Sequence, residues 1–410
     1  MKDKTPSIRF KGFTDDWEQR KAKNLFVSTA DKGHPELPVL SATQDRGMIR
    51  RDENSINIYH DKKNEEGYKR VLPGQFVIHL RSFQGGFAHS AIEGITSPAY
   101  TVFGFSEPEK HNPNYWKYVF TSKEFIRRLE TVTYGIRDGR SISYDEFLTM
   151  DFVYPTQDEQ TKIANYLDTL DNLITLHQRK YDQLLNIKKS MLEKMFPKNG
   201  EKAPEIRFDG FTDDWEQRKL LSCIRKITDF RGRTPKKLGM DWSESGYLAL
   251  SALNVKDGYI DFSQDVHYGD QALYDKWMSG SELHKGQVLF TTEAPMGNVA
   301  QVPDNKKYIL SQRTIAFDVN EDIIKENFLA TLLRSPVVFK TLTSLSSGGT
   351  AKGVSQKSLA SVDIQIPVEL REQELLATHF TNLDNLITLH QRKLEKMQNL
   401  KKSILKQMFL

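Results

Sequence analysis

The segment LDNLITLHQRK, residues Leu170–Lys180, recurs letter for letter at Leu383–Lys393. A second segment, Lys4–Lys21, which ends in FTDDWEQRK, recurs at Lys202–Lys219 with 15 of 18 positions identical. The spacing between copies is larger for the first pair than for the second, so about 15 residues were gained between the two marks in the second copy. The chain is therefore a tandem duplication, and this repeat decides how the fold is interpreted.

Composition places the chain in an ordinary globular class. It has 410 residues, of which 38% are hydrophobic and 27% charged, enough for two or three domains with separate cores. A single cysteine, Cys223, rules out an intrachain disulfide and favours a reducing cytoplasm. The sequence predicts neither a signal peptide nor a membrane span. The net charge of +4 permits nucleic-acid binding without requiring it.

Each copy ends in a segment with the pattern of a long helix, at about residues 160–196 and 373–409. One apolar stripe with spacings of three and four residues follows each segment, which predicts an antiparallel coiled coil between the two copies. His177 and His390 occupy equivalent stripe positions, either as a register or pH-sensitive element or as side chains packed sideways. The predicted seam comprises Leu167, Leu170, Ile174, His177, Leu184, Met191, Phe380, Leu383, Ile387, His390, Met397 and Ile404.

The blocks between the repeated segments predict an α+β fold. Short β-rich runs are expected at Phe76–Leu80, Val288–Thr292 and Asp363–Ile366, and one helix in each block, at Pro113–Leu129 and Glu326–Leu342. The repeated FTDDWEQRK, Phe13–Lys21 in the first copy, has the pattern of a helix start, with a threonine or aspartate cap. Apolar positions agree between the blocks whereas polar positions differ, which suggests one fold that recognises two different ligands.

No catalytic constellation stands out. Asn112-Pro113-Asn114-Tyr115 is a near match to an adenine-methyltransferase signature, but the second proline is missing and no glycine-rich nucleotide-binding turn accompanies it. The ten histidines and one cysteine show no zinc-ligand spacing. We therefore predict no catalytic residue and no metal site in this chain.

The whole arrangement resembles the specificity subunit of type I restriction-modification enzymes. The resemblance rests on the two opening segments, on two helix starts and on three internal motifs. The helix starts are P-x-x-x-E-Q-x-K-I-A (Pro155–Ala164) and P-x-x-x-x-E-Q-x-L-L-A (Pro367–Ala377), and the internal motifs are DFRGRTPKK (Asp229–Lys237), LSALNVKDG (Leu250–Gly258) and TTEAPMGNVA (Thr291–Ala300). The first block departs from the family pattern at Ala30–Pro35, where an RGKTP-like turn is usual.

The resemblance implies a fold with two globular α/β target recognition domains, related by a pseudo-twofold and joined by two long antiparallel helices. It implies an opening segment at 1–21 packed near the C-terminus, recognition domains at 22–155 and 220–367, long helices at 156–197 and 368–410, and a linker with the repeated opening segment at 198–219. The implied function is non-catalytic recognition of a bipartite, asymmetric site on double-stranded DNA. Two adenine-methyltransferase subunits and the motor-nuclease subunits would be partners, and would carry S-adenosylmethionine, Mg²⁺ and ATP.

DNA contacts are expected from loop residues. Lysine and arginine suit phosphate, whereas arginine, asparagine, glutamine and serine also read base edges. The candidates are Gln44, Arg46, Arg50, Arg51, Arg81, Ser82, Arg137 and Arg140 in the first block, and Arg231, Arg233, Lys236, Lys237, Asn254, Lys256, Arg313, Lys352 and Gln356 in the second. The alternatives are a stand-alone DNA methyltransferase or nuclease with fused recognition domains, and a duplicated protein-binding adaptor.

Overall fold

A computed structural model describes residues 5–53, 62–134, 141–198, 200–348 and 352–409. The chain divides into two compact units, Met1–His177 with Lys393–Leu410 and Gln178–Arg392. They are called the first and the second unit below. Both mix strands with helices, and two long helices, Gln157–Lys194 and Leu370–Met408, run through the chain. The predicted α+β class with paired long helices is confirmed.

The first unit is built on a four-stranded antiparallel sheet in the order Phe26–Thr29, Thr101–Phe105, Phe76–Ile78, Ala88–His89. Its other strands are Glu18–Lys21, Leu40–Thr43, Gly47–Arg50, Lys69–Val71, Gly94–Thr96, Thr133–Tyr134, Ser141–Ile142 and Asp151–Tyr154. Its shorter α-helices are Ser82–Gly85, Pro113–Phe120, Lys123–Leu129 and Tyr144–Phe147.

The second unit repeats this sheet, in the order Ile224–Asp229, Thr314–Val319, Val288–Thr291, Val299–Gln301, again antiparallel. Its other strands are Glu216–Lys219, Tyr247–Leu250, Tyr268–Gly269, Ile309–Leu310 and Asp363–Ile366. Its shorter α-helices are Gln271–Met278, Glu326–Leu333, Pro336–Leu345 and Gln356–Ser361. The same strand order in both units shows that the duplication copied a complete folding unit.

The opening segment forms a strand in both units, so the predicted helix start is wrong. Glu18–Lys21 pairs antiparallel with Asp151–Tyr154, and Glu216–Lys219 pairs with Asp363–Ile366 in the same register. Only Phe13 and Trp17 are apolar in this segment, too few for the apolar stripe that a helix would bury. Trp17 is buried, and cross-strand hydrogen bonds determine the conformation in place of local propensity.

Each predicted block helix is two helices. In the first unit the break falls at Ser122, whose side chain accepts a hydrogen bond from the Phe125 N–H and so caps Lys123–Leu129. In the second unit Ser335 caps Pro336–Leu345, which begins with a proline. Serine followed by proline suits the first turn of a helix, because proline lacks the N–H that would be unpaired there.

A buried glutamate at the start of each long helix fixes the opening segment. Arg9 donates two hydrogen bonds, of 2.7 and 2.8 Å, to Glu159, and Arg207 donates two of the same lengths to Glu372. Both carboxylates are almost fully buried. Bidentate pairs of this kind are geometrically specific and strong. The opening segment therefore has the same anchor in both units.

The neighbouring glutamine in each long helix joins the helix to its block. Gln160 accepts a hydrogen bond of 2.9 Å from the Asn112 N–H and donates one of 2.8 Å to the Pro155 carbonyl. Gln373 makes equivalent bonds of 3.0 Å with the Lys325 N–H and the Pro367 carbonyl. A buried backbone group without a hydrogen-bond partner is costly. Each glutamine therefore supplies a partner for one backbone N–H of the block and for the proline carbonyl just before the long helix.

The two long helices also contact one another within each unit. In the first unit Lys401 forms an ion pair with Asp171, and in the second unit Lys188 lies 2.7 Å from Asp384. The start of one helix is thus paired with the end of the other, an antiparallel arrangement. All twelve predicted seam residues are buried or half-buried, including His177 and His390. Among the described residues, no helix has the length and apolar character that a membrane crossing requires.

Candidate nucleic-acid interface

Several sequence-predicted residues of the second unit meet at one end of its four-stranded sheet. Asp229, the last residue of the strand Ile224–Asp229, accepts hydrogen bonds from Arg231 and from Gln356, of 2.8 and 2.9 Å. Burial alone would raise the pKa of the Asp229 carboxyl, but these hydrogen bonds outweigh burial and hold the pKa below its ordinary value. The ionised carboxylate therefore orients both side chains.

Arg313 and Lys352 lie at the same end. The Arg313 carbonyl accepts a hydrogen bond of 2.8 Å from the Thr292 N–H, and its guanidinium is more than half exposed, 3.9 Å from Glu293. Glu293 forms a β-bridge with Gly353, so the neighbouring Lys352 also lies at this end of the sheet. We call the exposed cations at this end the basic rim, and they are Arg231, Lys236, Lys237, Arg313 and Lys352.

Three predicted residues of this unit have other environments. Arg233 donates to the Trp277 carbonyl and lies 4.4 Å from the centre of the Phe230 ring, so it supports the loop rather than facing solvent. Asn254 is fully buried; its side chain accepts from Ser251 and donates to the Asp261 carbonyl. Its assignment as a base-reading residue is corrected to a structural one. Lys256 is half-buried in the following turn.

In the first unit, three predicted residues lie near one another, in the turn after the strand Leu40–Thr43 and at the start of the helix Ser82–Gly85. Gln44 is exposed and donates a hydrogen bond of 3.1 Å to Gln84 in the helix Ser82–Gly85. Arg46 lies in the same turn as Gln44, and Arg81 immediately precedes that helix; both are exposed. Compact placement of exposed glutamine and arginine side chains suits contacts with base edges and phosphates.

The remaining candidates of the first unit differ in environment. Ser82 is fully buried and accepts a hydrogen bond of 2.8 Å from the His79 N–H, so its prediction as a DNA contact is corrected to a turn-stabilising role. Arg50 is exposed, whereas Arg51 is half-buried. Arg137 and Arg140 lie outside the described residues. Asn112 caps the helix Pro113–Phe120 by accepting from Asn114 and Tyr115, a structural role for the methyltransferase-like motif.

A cleft of about 470 Å³ opens beside the basic rim of the second unit. Its walls include Trp242, Asp265, His267 and Gln312, together with Lys236 and Arg313, which are the two among these six that the sequence predicts as DNA contacts. The Ser251 hydroxyl donates a hydrogen bond of 2.6 Å to Asp265. The other Asp265 oxygen lies 3.1 Å from Nε2 of His267, and the His267 ring is stacked on Trp242 with centroids 5.4 Å apart.

Backbone strain is concentrated at this cleft. Asp265, Ala294 and Arg313 have φ values of +43°, +50° and +63°, in the left-handed region that L-residues seldom adopt. All three line the cleft. Such strain persists only where the surrounding structure enforces it, and it is concentrated at functional sites. The described residues contain no group of His, Cys, Asp and Glu able to hold a metal ion.

Comparison with known proteins adds independent findings. The family model for the type I restriction modification DNA specificity domain matches residues 213–399. The specificity subunit of the type I restriction enzyme MjaVIII of Methanocaldococcus jannaschii is 27% identical over 259 residues, which cover 61% of this chain and 59% of that protein. A putative specificity subunit, MjaX, of the same organism is 21% identical over 412 residues, covering 95% of this chain and 92% of that protein.

A solved structure shares the fold over the full length. The crystal structure of the S subunit of a type I restriction-modification system from M. genitalium superposes with a TM-score of 0.56 at 13% identity, and 99% of each chain is covered. The duplicated sheets and the long helices are thus a fold that this chain shares with that S subunit. Residues 213–399 belong to the family of type I restriction modification DNA specificity domains, and the relatives that match 61% and 95% of the chain are specificity subunits of type I restriction enzymes.

Proposed function

We propose that the chain recognises a bipartite, asymmetric site on double-stranded DNA, with one half-site for each recognition domain. The domains in this proposal are residues 22–155 and 220–367. The observation that carries it is that one duplicated sheet scaffold presents different exposed polar side chains, Gln44, Arg46 and Arg81 in the first unit and Arg231, Lys236 and Arg313 in the second. Different side chains on one backbone are what two different half-sites would require.

A chain with two linked recognition domains can bind DNA although its net charge is modest. Each half-site interaction alone is weak, but a linked second domain binds at a high effective concentration and can raise the overall affinity by about 10²–10⁴-fold. The basic rim supplies phosphate contacts, which do not depend on sequence, and partner subunits can supply more. The net charge of +4 is therefore sufficient for a subunit that binds DNA within a complex.

The partners in this proposal are two adenine-methyltransferase subunits and, through them, motor-nuclease subunits. S-adenosylmethionine, Mg²⁺ and ATP would be bound by those subunits. The opening segments and the LDNLITLHQRK stretch of the long helices are the parts that the duplication kept nearly unchanged, as expected if both copies bind the same partner. The complex would act in the cytoplasm, where the free, buried Cys223 stays reduced.

The methylation pattern of a genome tests the proposal. The chain is expressed with its methyltransferase subunits in a host without other DNA methylation, and modified adenines are mapped by sequencing. We expect one two-part motif with a fixed gap. Exchange of residues 22–155 for the domain of a relative should change one half of the motif only, and exchange of 220–367 should change only the other half. A change in both halves from either exchange would contradict independent recognition.

The spacing of the half-sites has a separate test. In this proposal the long helices set the gap, so four residues inserted after Lys180 should change the gap that is methylated and abolish modification of the original motif. A substitution of Lys180 by alanine, without a change in length, is the control and should leave the motif as it was. An unchanged gap in the insertion variant would refute the role of the helices in spacing.

A further inference from the structure

The cleft of the second unit contains a carboxylate where DNA-binding surfaces usually carry cations. Asp265 lies between Ser251 and His267, and its side chain is about a quarter exposed. A carboxylate repels phosphate, so it would weaken binding unless it made a compensating contact. On a base edge, carboxylates accept hydrogen bonds from an exocyclic amino group, above all N4 of cytosine.

The geometry orients this carboxylate firmly. The backbone of Asp265 is in the left-handed conformation, which aspartate tolerates better than most residues. One of its oxygens accepts from the Ser251 hydroxyl at 2.6 Å, and the other faces His267 at 3.1 Å. A carboxylate has about four lone-pair sites, so these contacts leave acceptor capacity toward the cleft.

The surroundings match a nucleic-acid ligand. Lys236 and Arg313 lie at the edge of the cleft, where they can bind the phosphates that flank a base. Gln312, which donates a hydrogen bond of 2.9 Å to the Arg233 carbonyl, links the wall to the basic loop. The Trp242 and His267 rings form an aromatic wall. In this arrangement the cations at the edge of the cleft would bind phosphates, whereas the oriented carboxylate inside the cleft would recognise a base.

We propose that Asp265, oriented by Ser251 and His267, is a specificity-determining residue that accepts a hydrogen bond from the exocyclic amino group of one base in the half-site of the second unit. This inference rests on the proposed function. It adds the chemical class of one recognised base, which is cytosine or adenine, the two bases that present an amino group in the major groove.

The test uses the complex of the full chain with its methyltransferase subunits and the motif found by methylation mapping. Each cytosine and adenine of both half-sites is replaced in turn by 2-pyrimidinone or purine, which lack the amino group. For the unaltered chain, we expect one replacement in the half-site of the second unit to weaken binding about 10- to 100-fold. With Asp265→Ala, the same replacement should have almost no additional effect.

Asp304→Ala is the matched control. Asp304 is a partly exposed carboxylate of the same unit that caps a turn by accepting from the Lys306 N–H, and it does not line the cleft. This variant makes the same change of charge and should keep the sensitivity to the amino group. Asp265→Asn, which has nearly the same shape as aspartate, serves if the alanine variant fails to assemble. Its amide can also donate, so tolerance of guanine or thymine should rise at that position alone.

The outcomes separate the two hypotheses. If the unaltered chain selects no two-part motif, the proposed function fails, and this inference fails with it. If the motif is found but the Asp265 variants keep the full sensitivity to every amino group, only the inference is overturned. A uniform loss of affinity for all sequences, with the pattern of preference unchanged, would likewise overturn it, because Asp265 would then stabilise the loop without recognising a base.

Discussion

The two units have the same sheet order but fill their interiors differently. In the first unit Phe76 faces Phe103 across neighbouring strands, and rings from the helices surround them, including Phe120 and Phe147. In the second unit the pair at the matching position is Val288 and Phe317, and most of the core around it is aliphatic. Cores tolerate such exchanges if volume and pattern are kept.

What did not change between the units is the buried arginine–glutamate pair at the start of each long helix. Arg9 with Glu159 and Arg207 with Glu372 are equivalent pairs with the same bond lengths. An apolar core adapts by repacking, whereas a buried ion pair fails when one partner is lost. The comparison therefore teaches that polar anchors hold the scaffold constant while the apolar interior and the exposed loops diverge.

Removal of the arginine anchor is expected to have the largest effect. Arg9→Ala leaves the buried Glu159 without its partner and should lower the free energy of unfolding of the first unit by about 3–5 kcal/mol. Arg207→Ala should cost about 1 kcal/mol less, since Glu372 keeps a hydrogen bond from Trp215. The equivalent indole N–H, in Trp17, finds no acceptor among the described residues. Urea denaturation, combined with hydrogen exchange to distinguish the units, measures the free energy of unfolding of each unit.

The control for the anchor is Arg20→Ala. Arg20 is only partly buried and pairs with the exposed Glu18, so its loss should change stability by less than about 0.5 kcal/mol. The comparison would be broken if Arg207→Ala destabilised its unit as much as Arg9→Ala does, because the additional hydrogen bond from Trp215 would then contribute nothing.

Removal of a helix-to-helix ion pair should have a smaller effect than removal of an arginine anchor. Asp384 receives Lys188 at 2.7 Å and Arg334 at 2.8 Å, and Arg334 also binds Asp257. Asp384→Asn should cost the second unit about 1–3 kcal/mol at pH 7. Asp171→Asn, at the equivalent position of the first unit, should cost at most about 1 kcal/mol, because Asp171 is more exposed.

The same pair predicts a dependence on pH. Burial would raise the pKa of Asp384, but the hydrogen bond from Arg334 and the two cations outweigh burial and lower it. This stabilisation is fully present above the unfolded-state pKa of about 3.9 and is lost as the pH falls through the lower folded-state pKa. Denaturation between pH 2 and 7 should show a shallower acid limb in Asp384→Asn. Equal slopes in the variant and the unaltered chain would contradict the prediction.

A glycine in the second unit gives the smallest expected difference. Gly258 has a φ of +86°, and a Cβ atom there would lie 2.7 Å from the Arg334 guanidinium. Gly258→Ala should cost about 1 kcal/mol for the left-handed backbone and about as much again for displacement of Arg334. Gly239→Ala, with a φ of +71° and open space around it, pays the backbone cost alone. Equal melting temperatures for the two variants would show that Arg334 adapts freely.

Much of the fold was predictable because it depends on patterns within the chain. The repeated LDNLITLHQRK and the apolar stripes predicted two long helices to within three residues of their observed ends. The strand at Asp363–Ile366 was predicted with its observed bounds. These features follow from periodicity, which is local, and from the duplication, which is visible by eye.

The candidate interface was less predictable because exposure is a property of the tertiary structure. The candidate DNA contacts were chosen by residue type. Residue type alone could not reveal that two of them, Ser82 and Asn254, are buried. Asp265 and His267 were missed, since neither lies in a repeated or family-like motif. Their contacts with Ser251 and Trp242 are made between separate segments of the chain, which no local pattern reveals.

The repeats and the apolar periodicity were enough to predict that this protein is two copies of one unit, each with a long helix whose apolar side must be buried. Composition and periodicity suffice for that, because they constrain every residue of a helix or strand alike. The three-dimensional structure was needed to establish that the opening segment is a strand, which loops share an end of each sheet, and which polar side chains remain exposed there. Those outcomes depend on hydrogen bonds and packing between residues that are more than a hundred positions apart, such as Asp229 with Gln356, and no local pattern encodes them.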